Sequence, residues 1–327
     1  MAAQAEGRRI AFGTDLITFY NLGYWGLPPM PYTDWIAAFK QRPRYYFEAM
    51  LDRCVEVGLD GIEIAPDPGG WDTMLEAFGG IAGVKAALDS RGLAVGSSYS
   101  GSAEWIVPAL EDPEYAVVAD AHYRAHARFL AELECPTIVT GNVAREYFSD
   151  DVDGPVPTEA FERVAEQLDR LGSVTSPLGV RIAVHTDAYS ICARREDVAT
   201  LMSLTDAVSV GLCPDAGHIT LDGGDAAAVL RDQVARVPVM HWKDCASPLH
   251  PSTLSGPKMH QHETMLTRFR VLGAPDGLVD WYDWQRTLRA AGWSGWAMAE
   301  IDMAADPVGD IRSALVYYSA ELAPIYT

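Results

Sequence analysis

Four short segments in the second half of the chain concentrate side chains able to do chemistry. "AVHTD" carries His185 and Asp187, and "GLCPDAGH" carries Asp215 and His218. "MHWKD" carries His241, Lys243 and Asp244, and "MAEID" carries Glu300 and Asp302. Singly, each has an ordinary structural account. An Asp ahead of a helix is usually an N-cap, and a lone His is usually a hydrogen-bonded structural residue. Four such segments, each at the end of an apolar run, are harder to explain that way. Burying so many ionisable groups costs on the order of several kcal/mol each unless something compensates them. A divalent cation is the direct compensator. Mixed carboxylate and imidazole donors suit Mn²⁺, Co²⁺, Fe²⁺ or Zn²⁺, and the lack of thiolates argues against structural zinc.

The elements that must position these groups are legible as a repeat. Short apolar runs at residues 10–12, 61–64, 94–98, 137–140, 181–184, 208–212, 239–242 and 296–299 predict strands buried on both faces, as in a parallel sheet. Amphipathic segments at 44–57, 115–134, 158–171 and 281–291 predict helices between them. Gly58, Gly92, Gly179 and Gly292 stand between a helix end and the next strand, the layout of an alpha-to-beta loop. About eight such units predict an α/β fold closed as a (β/α)8 TIM barrel. An open doubly wound sheet is the alternative, but no GxGxxG follows the first strand. The expected organisation is a flexible leader over residues 1–9 and a single barrel domain over 10–327, with extended loops after strands 1 and 7. In a barrel the strand ends share one rim, which is where reacting groups gather. Glu63 and Asp67 end the second strand and Asn142 the fourth; Glu63 is expected to be structural or to support a ligand.

Composition narrows the function. The 327 residues carry 25 Lys+Arg against 45 Asp+Glu, a net charge of −20, which argues against nucleic acid and anionic membrane surfaces as partners. No stretch reaches the roughly 18 apolar residues of a spanning helix. The first ten residues lack the apolar region of a signal peptide. Cys54, Cys135, Cys192, Cys213 and Cys245 show no CxxC spacing, so they read as reduced, buried thiols in a cytoplasmic protein. His250, His260 and His262 lie in a Pro/Gly-rich stretch and predict a lid or subunit contact rather than a second metal site.

"GLDGIEI", "DAGHI", "HWKD" and "GWAMAEID", in this order, resemble the sugar phosphate isomerase/epimerase superfamily of xylose isomerase-like TIM barrels. The resemblance spans residues 12–302, nearly the whole chain. It implies a divalent metal held by Asp215, His241 and Glu300, with Mn²⁺ the expected ion and Co²⁺, Fe²⁺, Zn²⁺ or Mg²⁺ as alternatives. Members usually place a Glu on the fifth strand, and the corresponding residue here is His185. It is expected as a fourth ligand or as a catalytic base. Histidine at this position is similar to the inosose dehydratase-like branch. Glu146 is a fallback ligand, more simply read as an exposed carboxylate. The resemblance also implies that His218 touches substrate and that Lys243 supplies a cation to a developing oxyanion.

The chemistry expected is enolisation of a keto-sugar or related polyol ketone. Loss of the fifth-strand Glu removes one of the paired carboxylates an epimerase uses, which favours β-elimination by a lyase. Sugar isomerisation or epimerisation is the alternative, and a non-catalytic partner-binding barrel is a second. A metal-dependent DNA repair endonuclease on the same barrel is disfavoured by the charge. "DLITFYNLGYWGLP" resembles the catalytic subunits of C-glycoside deglycosidases, implying an oligomer with a small β-rich subunit and a keto-sugar or glycoside substrate. Phe19, Tyr20, Tyr24, Trp25, Trp71, Tyr99 and Trp105 are candidates to stack on such a substrate, though about half are expected to pack internally.

Overall fold

The computed structural model describes residues 10–255 and 258–326. The leader expected over residues 1–9 lies outside the described residues. Eight strands form one parallel ring: β1 (Ile10–Asp15), β2 (Gly61–Ile64), β3 (Ala94–Ser100), β4 (Thr137–Thr140), β5 (Arg181–His185), β6 (Val210–Cys213), β7 (Val239–Trp242) and, after an excursion, β10 (Gly295–Ala299). Their order is β6-β5-β4-β3-β2-β1-β10-β7. The ring closes between β6 and β7 at an isolated parallel bridge joining Asp215 and His241, where the His241 N–H donates to the Pro214 carbonyl across 3.1 Å. Eight parallel strands in a nearly closed barrel, with helices between them, make a single-domain TIM barrel.

The strands form because they are short, apolar and enclosed. All four residues of β2, β4, β6 and β7 are buried. Backbone pairing then satisfies groups that water cannot reach. Each helix supplies one apolar face. Thr158–Thr175 buries Phe161, Val164, Leu168 and Leu171, and Trp281–Ala291 buries Trp281, Trp284 and Leu288. Asp280 caps the second of these by accepting from the Asp283 N–H, and Gly292 ends it at φ 60°. The other three glycines predicted to end helices also have positive φ.

The barrel lumen is filled by Val139, Ala183, Cys213, Val239 and Met298, with Tyr99 and Trp296 packed on them. Two glycines make that filling feasible. A Cβ on Gly96 would lie 2.4 Å from Met298 Cε, and one on Gly61 would lie 2.7 Å from the Trp296 ring. Large β10 side chains thus occupy space that β2 and β3 leave empty.

Both long loops carry more structure than their composition suggests. The first folds into a turn at Leu16–Phe19 and a helix at Tyr32–Gln41. The second contains an antiparallel pair, β8 (Asp244–Cys245) with β9 (Phe269–Arg270), and a helix at Lys258–Leu266. Asp244 anchors it, accepting from Trp281 Nε1 at 2.7 Å, from Val279 N and from Cys245 N. Leu221, Cys245, Leu249 and Phe269 form a small apolar core beneath the excursion. All five cysteines are free and buried. No helix among the described residues is long and apolar enough to cross a membrane.

Candidate active site

Consecutive barrel strands deliver the predicted groups to one rim. His185 closes β5, Asp215 follows β6, His241 lies within β7 and Glu300 follows β10. One donor atom from each lies within 4.8 Å of the other three, and all four residues are buried. His185 Nε2 is 3.5 Å from Asp215 Oδ2. His241 Nδ1 is 3.8 Å from the same oxygen and 2.5 Å from Glu300 Oε2. None of these atoms has a hydrogen-bond partner among the described residues. Two imidazole nitrogens and two carboxylate oxygens therefore point at one volume without satisfying each other. That donor set could hold a divalent cation.

Each imidazole is held from behind by a carboxylate. His185 Nδ1 donates to Asp187 Oδ1 at 2.9 Å, and Asp187 Oδ2 accepts the Asn142 N–H at 2.7 Å. His241 Nε2 stands 3.0 Å from Glu63 Oε1. Its nitrogens thus stand between two carboxylates, Glu63 at Nε2 and Glu300 at Nδ1. Against burial, Cys213, Glu63 and Glu300 raise His241 well above the imidazole norm, and a cation set against Nδ1 would offset that rise. Glu63 also accepts from Ser97 Oγ. Behind it lies Asp15, at the end of β1. Burial, then the Glu63 charge, raises Asp15 well above the usual carboxylate range, so it keeps its proton and shares it with Glu63. Asp15 was not singled out from the sequence. Its signal was its place: "FGTD" ends the first strand at the same rim.

Lys243 is fully buried. Its ammonium lies 2.6 Å from Glu300 Oε1, 2.7 Å from Asp302 Oδ2 and 3.4 Å from Asp215 Oδ2. Against the opposing effect of burial, those carboxylates hold it well above the ordinary lysine value. Three carboxylates thus face its three N–H groups, and the Phe269 ring covers it with its centroid 4.5 Å away. Lys243 also counters burial at Asp215 and Glu300, keeping both carboxylates ionised. It is not paired with Asp244, whose carboxylate is turned to Trp281.

His218 sits beside His185, ring centroids 5.3 Å apart, and packs on Phe269 at 4.8 Å. Its Nδ1 accepts the Ala188 N–H at 3.1 Å. Burial, then the Lys243 charge, lowers it to about 4. It is therefore neutral at physiological pH, with its remaining hydrogen on Nε2, a donor rather than a base. His185 behaves oppositely. Burial opposes it, but Asp187 and Asp215 raise it well above the imidazole norm. A cation set against Asp215 would offset that rise.

Phe269 had no signal in the sequence. It reaches the site only because β9 pairs with β8. Of the seven aromatics considered as substrate platforms, Tyr99 alone packs against the cluster, edge-on to His185 at 5.9 Å and 79°. Burial, then the Asp187 and Glu300 charges, raises its phenol well above the usual value. Phe19 and Tyr20 are buried within the first loop, and Tyr20 Oη is spent on Pro66 O and Gly69 N. Trp25 packs on Tyr24 and Tyr46. Trp71 stacks on His126, and Trp105 stacks on His122 at 3.7 Å. Glu146 is exposed and is not among the clustered ligand residues. His250 bonds Asp153 and Ser252, His260 lies 3.6 Å from Glu263, and neither belongs to a ligand cluster among the described residues.

A family model described as xylose isomerase-like TIM barrel matches residues 51–318. An inosose dehydratase of Geobacillus thermodenitrificans is 27% identical over 225 residues, which is 67% of this chain and 72% of that one. An inosose dehydratase of Lacticaseibacillus casei is 25% identical over 265 residues, 78% of this chain and 82% of that one. Among solved structures, a D-tagatose 3-epimerase-like protein superposes with a TM-score of 0.68 at 13% identity, over 97% of this chain and 100% of that one. A probable 3-DHS dehydratase, AsbF, from Bacillus anthracis gives 0.67 at 12%, over 95% and 100%. At such identities these two speak for the fold. The family model covers most of the chain, and the chain belongs to the xylose isomerase-like TIM barrel family.

Proposed function

We propose that this protein is a divalent-metal-dependent dehydratase that enolises a cyclic or open polyol ketone and expels the hydroxyl β to the carbonyl. It is an enzyme, and the dehydratase names of its relatives support sugar-related chemistry. The observation that carries the metal dependence is the set of four buried donor atoms, none hydrogen-bonded among the described residues, converging at the rim. Asp215, His241 and Glu300 are the proposed ligands, and Mn²⁺ is the proposed ion. The bound cation would supply Lewis acidity, which acidifies the C–H beside the substrate carbonyl.

His185 is the proposed base. His241 Nδ1 lies between two cluster carboxylates, whereas His185 Nε2 pairs with Asp215 alone, and its ring is bordered by His241 at 4.8 Å, His218 at 5.3 Å and Tyr99 at 5.9 Å. Asp187 holds its other nitrogen as the donor, so Nε2 presents the lone pair once the cation relieves its charge. His218 Nε2–H is placed to donate to the oxygen on which negative charge develops. Lys243, saturated by carboxylates, acts as a positioning cation that keeps Asp215 and Glu300 ionised. The excursion after β7 roofs this chamber with Phe269, and it is proposed to shelter the reacting groups from water.

The deglycosidase reading rested on the aromatic segment of the first loop. Those side chains pack inside the loop, so a dehydratase is preferred. The deciding experiment incubates Mn²⁺-loaded protein with an inosose in D₂O. Release of water to give an unsaturated or dicarbonyl product supports the proposal. A recovered or epimerised ketone carrying deuterium, without loss of water, would replace it with an epimerase.

A further inference from the structure

We propose that Tyr99 is the catalytic acid that protonates the departing hydroxyl; this rests on the dehydratase reading above. A β-elimination needs a proton donor at the leaving oxygen, distinct from the base on carbon. Most polar groups at this rim are already committed. Lys243 faces three carboxylates, and the Asp187 carboxylate is taken by His185 and Asn142. The Tyr99 hydroxyl makes no hydrogen bond among the described residues. It is also not sealed away, since the residue is only partly buried.

Its position follows from the strand. Tyr99 lies near the end of β3, with its ring rooted on the lumen core that includes Met298, Ala183 and Cys213. On the opposite face of β3, Ser98 Oγ bonds His126 Nε2 at 2.8 Å, while Ser97, on the face of Tyr99, is committed to Glu63. The ring stands edge-on to His185. The two rings are thus neighbours at one rim, so a single substrate is required to meet His185 Nε2 at its C–H and the phenol at its leaving oxygen. His218 Nε2–H is a second donor, but it flanks His185 from the side of Phe269 and serves the carbonyl oxygen.

The step balances without a co-reactant. His185 Nε2 takes the proton from carbon. The C–H electron pair enters the enolate of the ketone and then becomes the new C=C bond as the β C–O bond breaks with its electrons on oxygen. That oxygen takes the Tyr99 proton and leaves as water. The phenolate then recovers a proton from the adjacent imidazolium through solvent, which returns both groups to their starting states.

The test compares Tyr99→Phe with the unaltered protein, both loaded with Mn²⁺, on an inosose in D₂O. Metal content and melting temperature establish that the variant folds. The expected result is water release reduced about 100-fold or more, with deuterium still entering the recovered ketone at carbon. A His185→Asn variant should lose both. Dehydration by Tyr99→Phe within about threefold of the unaltered rate overturns the assignment. Parallel loss of exchange and dehydration overturns it too, since that marks a role in binding or in the base. If the unaltered protein releases no water from inososes, the dehydratase reading fails first and the acid role falls with it.

Discussion

The Nδ1–H of His185 donates to Asp187 Oδ1 across 2.9 Å, and the second Asp187 oxygen is pinned by the backbone N–H of Asn142. This pair fixes both the tautomer and the aim of the imidazole. Asp187→Asn keeps the shape but offers an amide N–H or a weaker acceptor, which frees the ring to turn or to move its proton to Nε2. Turnover should fall about 100-fold or more, as expected when a base loses its orienting carboxylate. Metal content should stay near that of the unaltered protein. Steady-state kinetics and elemental analysis of the same preparation check both.

Ligand and base can be told apart by stoichiometry. Asp215→Ala and Glu300→Ala each remove a converging oxygen and should lose the bound metal. His185→Asn should retain about one ion per chain while losing proton exchange. Metal missing from His185→Asn as well would make His185 a fourth ligand.

Lys243 binds three buried carboxylates at once. Lys243→Met leaves that charge uncompensated, and breaking a buried ion pair from one side costs about 3–5 kcal/mol. The metal-free variant should melt well below the unaltered protein. Added Mn²⁺ should recover part of the loss, because a ligand that binds only the native state stabilises it by mass action. Thermal melts across a Mn²⁺ titration measure this.

An acid limb of stability should arise outside the ligand cluster. His122 stacks on Trp105, and burial lowers it from about 6.5 to about 4. His126, bonded to Ser98 and stacked on Trp71, is lowered further by burial, then by His122. Both are neutral when folded and take up protons near pH 6.5 when unfolded. The unfolded state binds more protons below that value, so their contribution is complete above about pH 6.5 and is lost as the pH falls towards 4. Each fully titrating group adds a slope of up to about 1.4 kcal/mol per pH unit in that window. His122→Phe should flatten the decline of denaturation midpoint between pH 6.5 and 4 while barely changing it at pH 8.

Much of this protein is written locally. The strand at residues 61–64, and those at 137–140 and 239–242, coincide with the runs read from sequence, as does the helix Trp281–Ala291. Buried parallel strands must be apolar along their whole length, and helices must carry one apolar face. Those demands act on neighbours in the chain. The first strand was read as residues 10–12 but runs to Asp15, because pairing with β2 and β10 extends it past its apolar start. That extension put a carboxylate at the rim that periodicity did not mark.

His185, Asp215, His241 and Glu300 were identifiable because a barrel puts every strand end on one rim, so order in sequence becomes adjacency in space. What the sequence alone determined is therefore the repeat, its closure and the identity of the rim residues. Partnerships across the barrel were decided only by the tertiary structure. Phe269 reaches Lys243 through an antiparallel ladder inside a long loop, Glu63 meets His241 across the ring, and the Lys243 ammonium turns to three carboxylates instead of to Asp244. The reason is physical. Backbone periodicity follows from local sterics and burial, whereas the pairing of buried charges is a minimum over all charges the closed barrel brings together.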